Sequence, residues 1–380
     1  MTKRLLLLGG GHAHLHVLQD FARERLRDVQ GVLVTPHADQ LYSGMVPGLV
    51  AGHYSAAQCR IPLAPLAAAA GVRLTLASAV AIDTARRRVL LTDGQSLGYD
   101  LLSMDTGGVM DRDRLPGARE HAMFVRPMDH FVQLLPDLLA MAATRALNVV
   151  VLGAGAAGVE LALALQFRLV GAGAGAALRS SVTLLTGGPE PVATHPPAVQ
   201  RRVLRALAAH GIAVHRVACT ALEADAAVLA DGSRLACDLP LVVTGAEAPG
   251  WLHGSGLALD PQGFVLTGPT LQSRSHPEIF AVGDVATRDD APHPRSGVYA
   301  VRAGPPLALN LRRWLAGGVL LPHQPQQRAL NLMACGEKTA IASWGPWSAE
   351  GRWVWRWKDR IDRAFIAGHA APPTASGRGG

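Results

Sequence analysis

The stretch NVVVLGAGAAGVELALALQF (148–167) runs from an apolar tetrad through three spaced glycines into a long apolar segment. Its hydropathy suggests a membrane span, but Gly153, Gly155 and Gly158 near its start and Glu160 inside it fit strand, turn and helix better. Gly153-Ala-Gly155-Ala-Ala-Gly158 is a complete GxGxxG. Such glycines permit a tight turn, close approach to a pyrophosphate and close packing of helix on strand. The helix start then presents backbone N–H groups and its positive dipole end to phosphate. One match in a chain with 41 glycines carries little weight alone. The following SVTLLTGG (181–188) supplies a second strand, so the unit opens as a mononucleotide-binding βαβ fold.

The same unit occurs earlier, as KRLLLLGGGHAHLHVLQDFARE (3–24) followed by GVLVTP (31–36). Gly9 and Gly11 keep the turn and the phosphate approach, whereas His14 stands at the packing position and predicts wider helix–sheet spacing. The ladder His12, His14, His16 raises a metal site as an alternative. On a helix, His12 and His16 share a face and His14 does not, so the three cannot hold one ion. A His12–His16 pair could, but no carboxylate is evident nearby, and a helix start disfavours charged imidazole. A modified flavin loop with His12 nearest the cofactor is the stronger reading, with no metal expected.

Each unit closes on a similar signal, LGYDLLSMDTGG (97–108) and LACDLPLVVTGAEAP (235–249). The charged DRDRLPGAREHAMFVRPMDHF (111–131) between them reads as an inter-domain linker. HPEIFAVGDVAT (276–287) reads as a strand ending in Gly283-Asp284, with a helix expected near 298–315. Gly-Asp in a turn is ordinarily helix capping. Beside two dinucleotide halves, Asp284 is better read as an acceptor for a flavin ribityl chain. The acid that usually receives the adenosine ribose is missing after both second strands, where Thr35, Pro36 and Thr186 stand and Glu190 comes late. No Arg cluster marks a 2′-phosphate site there, which favours NADH over NADPH without deciding between them.

Composition sets limits. The 380 residues are 49% hydrophobic and 17% charged, as in soluble globular chains of two or three domains. The net charge of +7 comes mainly from Arg in an Ala/Arg/Pro-rich chain, and no nucleic-acid-binding motif accompanies it. Cys59, Cys219, Cys237 and Cys335 are scattered, without CxxC spacing, which argues against a disulfide framework, a zinc site and a sequence-local redox pair. Lys3-Arg4 before four leucines is too short to be a signal peptide, and a cytoplasmic setting is expected.

These motifs in this order resemble the two-dinucleotide-binding-domain flavoproteins, the pyridine nucleotide–disulfide oxidoreductase superfamily, over about residues 3 to 315. Within it the chain is similar to the membrane-associated branch of type II NADH dehydrogenases and sulfide:quinone reductases. YSGMVPGLVAGHY (42–54) and SAEGRWVWRWKDRID (348–362) most resemble the flavoprotein module sometimes fused in front of selenide, water dikinase, although no kinase domain is read here. The resemblance implies an α/β fold of two Rossmann-like domains, FAD-binding and NAD(P)-binding, with the FAD domain discontinuous and a small C-terminal segment added. Expected boundaries are 1–115 and 248–322 for the FAD domain, 116–247 for the NAD(P)H domain, 323–370 for the C-terminal segment and 371–380 for a disordered tail. It implies FAD near Gly9, Gly11, Ser43, Gly44, Thr106, Gly107, Gly283 and Asp284, and NAD(P)H as substrate near Gly153, Gly155, Gly158, Glu160 and Gly245.

The disulfide-using branch carries two cysteines beside its flavin, and residues 60–218 contain none. The expectation is therefore a dehydrogenase taking hydride from NAD(P)H onto flavin N5 and passing electrons to a quinone-like acceptor. Hydride transfer needs stacked rings rather than an acid or base, so no side chain is assigned a catalytic role. Alternatives are a sulfide- or selenium-compound oxidase, for which Cys335 is the candidate thiol, and a non-enzymatic flavin redox sensor that docks a partner.

Five of the seven tryptophans fall between 344 and 357. On a helix, Trp353, Trp357, Ile361 and Phe365 form one stripe, with Arg352, Arg356, Lys358 and Arg363 on the other sides. Such a helix suits peripheral contact with the inner face of the cell membrane through 344–365, or packing against the flavin domain or in a homodimer.

Overall fold

A computed structural model describes residues 2–172 and 179–370. From the N-terminus come β1 (Lys3–Leu8), α1 (His12–Arg23), β2 (Val29–Thr35), β3 (Val72–Leu76) and β4 (Leu101–Met104). The second unit holds β5 (Met123–Phe124), β6 (Asn148–Leu152), α2 (Ala156–Ala172), β7 (Ser181–Leu185), β8 (Ala213–His215) and β9 (Leu239–Val242). Then follow β10 (Ile279–Ala281), α3 (Gly297–Leu315), β11 (Asn331–Ala334), β12 (Ala340–Trp344), β13 (Trp347–Gly351) and α4 (Arg352–Gly368).

The sequence duplication is a duplication of topology. One parallel sheet has the order β10-β4-β1-β2-β3 and the other β5-β9-β6-β7-β8. In each, the strand before the glycine turn lies between the second strand and the closing strand. Helices cover such sheets on both faces, which is why β1 and β6 are unbroken apolar runs, with Leu5 to Leu8 and Val149 to Val151 buried.

Register then builds the site. Leu8 pairs with Met104, so the first glycine turn leaves the sheet beside Asp105-Thr106-Gly107. Leu152 pairs with Val242, which sets the second turn beside Val243-Thr244-Gly245. Strand β10 returns to the first sheet, pairing Ala281 with Met104, and delivers Gly283-Asp284 to the same end. These are carboxyl ends of parallel strands, where open α/β sheets bind ligands.

Two elements depart from expectation. The charged 111–131 segment is more than a connector, because Met123 and Phe124 pair with Leu241 and Val242 and form the outer strand of the second sheet. In the C-terminal segment, β11, β12 and β13 form an antiparallel sheet that α4 packs against through Val354. Helix α4 turns Val354, Lys358 and Asp362 inward. The expected stripe is therefore split: Trp353, Trp357 and Ile361 face solvent, while Phe365 stacks on Tyr42 with ring centroids 4.4 Å apart. Lys358, expected on an outer side, is buried. The expected tail at 371–380 lies outside the described residues.

Candidate functional site

The altered first turn is held by residues of β4 and its end. His14 is fully buried, with Nδ1 2.6 Å from the Gly9 carbonyl oxygen and Nε2 2.8 Å from Ser103 Oγ. A carbonyl only accepts, so Nδ1–H donates to Gly9 and Nε2 accepts from the Ser103 hydroxyl. Burial pushes this imidazole down to about 4, consistent with a neutral ring. In the second turn Gly158 lies so close to the Gly153 carbonyl that a Cβ would overlap it. The two copies thus solve one problem differently: a glycine abuts the carbonyl in one, and a ring hydrogen-bonds to it in the other. Whatever the helix–sheet spacing, the His14 ring ties loop, helix and strand together through Gly9 and Ser103.

Asp105 is the carboxylate that local sequence does not bring to the ladder. Its Oδ2 accepts from Ala13 N at 2.8 Å and His14 N at 3.0 Å. A Cβ on Gly11 would overlap the same carboxylate, and one on Gly283 would lie 2.7 Å from its Oδ1. His12 Nε2 lies 3.5 Å from Ser43 Oγ, and burial lowers the pKa of His12. Asp284 is paired with Arg126 at 2.9 Å. The Gly44 carbonyl accepts from Lys358 Nζ at 2.5 Å, and Lys358 also pairs with Asp362 at 2.7 Å. His12 and His16 both face Phe365, and among the described residues no three His, Cys, Asp or Glu side chains are grouped to hold a metal.

Gly9, Gly11, His12, Ser43, Gly44, Thr106, Gly107, Gly283 and Asp284 therefore gather at one end of the first sheet. The arrangement has the shape of a dinucleotide site, since the Cβ direction of Gly107 is open and α1 starts at a glycine, although Asp105 holds the Ala13 and His14 N–H groups of that helix start. Gly153, Gly155, Gly158 and Gly245 gather at the equivalent end of the second sheet, with open space beside Gly155 and Gly245. Glu190 is held in a bidentate pair by Arg216, at 2.7 and 2.9 Å.

Glu160 points elsewhere. Its Oε1 accepts from Ala334 N of β11 at 2.8 Å, toward the C-terminal layer. Desolvation pushes its carboxyl up to about 7, opposed in part by Lys358. An acid whose folded pKa is raised favours the folded state most below its unfolded value near 4.5, and this contribution is lost between there and 7. Glu160→Gln should thus raise stability by about 1–3 kcal/mol at pH 8 and leave it nearly unchanged at pH 4. Urea unfolding at both values checks this, and an equal gain at pH 4 and pH 8 would contradict it.

The cysteines are free thiols. Burial pushes Cys335 up to about 12 and Cys59 up to about 11, which suppresses thiolate nucleophiles. Asp105, Arg126 and Lys358 escaped the sequence reading. Asp105 had one usable signal, the acid within the closing motif MDTGG; Lys358 lies within SAEGRWVWRWKDRID, but spacing alone sets it on an outer side, and Arg126 belongs to no motif.

Two parallel sheets of equal order, each with a glycine turn at its carboxyl end, define a protein of two Rossmann-like dinucleotide-binding folds. The chain belongs to the pyridine nucleotide-disulphide oxidoreductase family, which matches residues 3–304, and it is an oxidoreductase using FAD and NAD(P)H. It is 27% identical over 356 residues to the demethylphylloquinone reductase of Synechocystis, covering 90% of this chain and 86% of that one. It is 29% identical over 291 residues to an NADH dehydrogenase-like protein of Mycobacterium tuberculosis, covering 74% and 72%. The fold superposes on the sulfide:quinone oxidoreductase of Aquifex aeolicus with a TM-score of 0.82 at 19% identity, covering 98% and 93% of the two chains. For NDH2 of Plasmodium falciparum in complex with NADH, the TM-score is 0.79 at 12% identity, covering 98% and 99%. Among the described residues no helix is long and apolar enough to cross a membrane.

Proposed function

We propose that this protein oxidises NADH through its flavin and delivers the electrons to a quinone-like acceptor at a membrane surface. The supporting observation is the two-sided C-terminal layer. Its inner side sets Lys358 on the Gly44 carbonyl of the flavin-side segment, and its outer side exposes Trp344, Trp347, Trp353 and Trp357 at 37–54%. Two relatives named for quinone reduction and NADH dehydrogenation support the same assignment.

The first glycine turn, the Thr106-Gly107 turn and Asp284 would hold FAD, and the second glycine turn with Gly245 would hold the nicotinamide dinucleotide. When bound, FAD supplies a two-electron acceptor that can return electrons singly or in pairs. The chain's own work is to align the two dinucleotides and to exclude water. Lys358, fixed by Asp362, holds its Nζ on the Gly44 carbonyl from the side of the C-terminal layer. Arg216 is already occupied by Glu190, which leaves it poorly placed for a 2′-phosphate and supports NADH. The high thiol pKa values and the absence of any cysteine in 60–218 favour this reading over sulfide chemistry.

Anaerobic titration of the yellow protein should show bleaching by NADH well before NADPH, and recovery of colour with a soluble quinone. Flavin that neither nucleotide reduces would refute the assignment. Indoles beside Arg352, Arg356 and Arg360 suit the headgroup layer of an anionic bilayer. Replacing Trp344, Trp347, Trp353 and Trp357 together by Ala should cut partitioning into anionic vesicles at least about tenfold, while turnover with a soluble quinone persists. Unchanged partitioning would remove the membrane contact from the proposal. Conversion of a dimer to a monomer, measured by light scattering, would assign the face to a homodimer instead.

A further inference from the structure

We propose that Asp105 couples flavin binding to protonation: its carboxylate occupies donors that the diphosphate of FAD also seeks, so the cofactor binds tightly when Asp105 carries a proton. Helix α1 begins at His12, and Asp105 Oδ2 takes the next two N–H groups, those of Ala13 and His14. In a glycine-turn fold these first-turn N–H groups face the diphosphate. Asp105 is 4% exposed and lies between Gly11 and Gly283, within the site rather than at its rim. It is thus an anion built into an anion site.

The charged groups facing it do not remove the conflict. His12 faces it from α1, but burial lowers that imidazole's pKa. Asp284 faces it from the turn after β10 and adds a like charge, already paired with Arg126. Burial pushes Asp105 up to about 6 before any diphosphate is present, and a bound diphosphate raises it further. The sign follows by linkage. The flavin-bound form holds this proton more firmly, so affinity is greatest below the cofactor-free value near 6. It falls as pH rises above that value, by up to roughly tenfold per unit, until the cofactor-bound value is passed.

The test uses the full-length flavoprotein and follows FAD fluorescence on dilution at pH 6, 7 and 8, in wild type and Asp105→Asn. The Asn oxygen still accepts from Ala13 and His14, so the loop is retained while the charge is lost. The wild-type dissociation constant for FAD is expected to rise about tenfold or more from pH 6 to pH 8, while D105N stays flat near the wild-type pH 6 value. An equal pH slope in D105N, or weaker FAD binding at every pH with a wild-type unfolding transition, would overturn the proposal. If D105N does not fold, proton uptake on adding FAD to cofactor-stripped wild type in weak buffer at pH 7 decides, and zero uptake refutes it.

Discussion

His14→Ala is expected to give a protein purified largely without flavin and about 3–5 kcal/mol less stable. The loss has two parts. The Gly9 carbonyl and the Ser103 hydroxyl lose their buried partner, and the missing ring leaves a cavity between α1 and β4. The sharper comparison is His14→Gly, which restores the usual fingerprint residue. It should be no better than the alanine variant, because it too leaves the Gly9 carbonyl and the Ser103 hydroxyl without their ring partner. Flavin absorbance at 450 nm per chain and urea unfolding measure both effects, and a yellow, stable H14G would show that the ring is dispensable.

The same histidine predicts acid sensitivity. Its folded pKa is depressed to about 4, so its contribution to stability is complete above 6.5 and declines as pH falls below that value. Between pH 6.5 and pH 5 the loss is about 2 kcal/mol. A His14→Gln variant, neutral throughout, should lose correspondingly less over that interval.

Gly158→Val is expected to separate the two nucleotide sites functionally. Any Cβ at 158 overlaps the Gly153 carbonyl, so α2 must retreat from its own turn and the close approach to the nicotinamide dinucleotide is lost. The first sheet and its turn make none of these contacts. The variant should therefore stay yellow and be reduced normally by dithionite, while kcat/KM for NADH falls at least about 100-fold, or about 2.7 kcal/mol. Stopped-flow reduction by NADH at the wild-type rate would sink this assignment of the second glycine turn.

Much of the architecture was legible because its signals are local. Leu5 to Leu8 and Val149 to Leu152 must be strands buried on both faces, and the glycines after them mark strand-to-helix turns. The closing motifs and HPEIFAVGDVAT could likewise be placed, because each is an apolar strand ending in a turn. What escaped depended on distance or on rotation. Asp105 and His14 are 91 positions apart, and only the parallel register of β1 with β4 makes them neighbours. Helix α4 was recognisable as amphipathic, but with aromatic residues on several sides the inward face could not be chosen from spacing alone. Burial of the Val354–Lys358–Asp362 row chose it, turning Phe365 toward Tyr42 and leaving the indoles outside.

By itself, then, the sequence determined that this is a duplicated dinucleotide-binding chain with the first turn altered, since spacing, apolar runs and glycine act over a few residues. Only the tertiary structure decided how the altered turn is repaired and which groups crowd it. Those answers rest on side chains supplied by remote strands and by the C-terminal helix, and their positions follow from sheet register and packing.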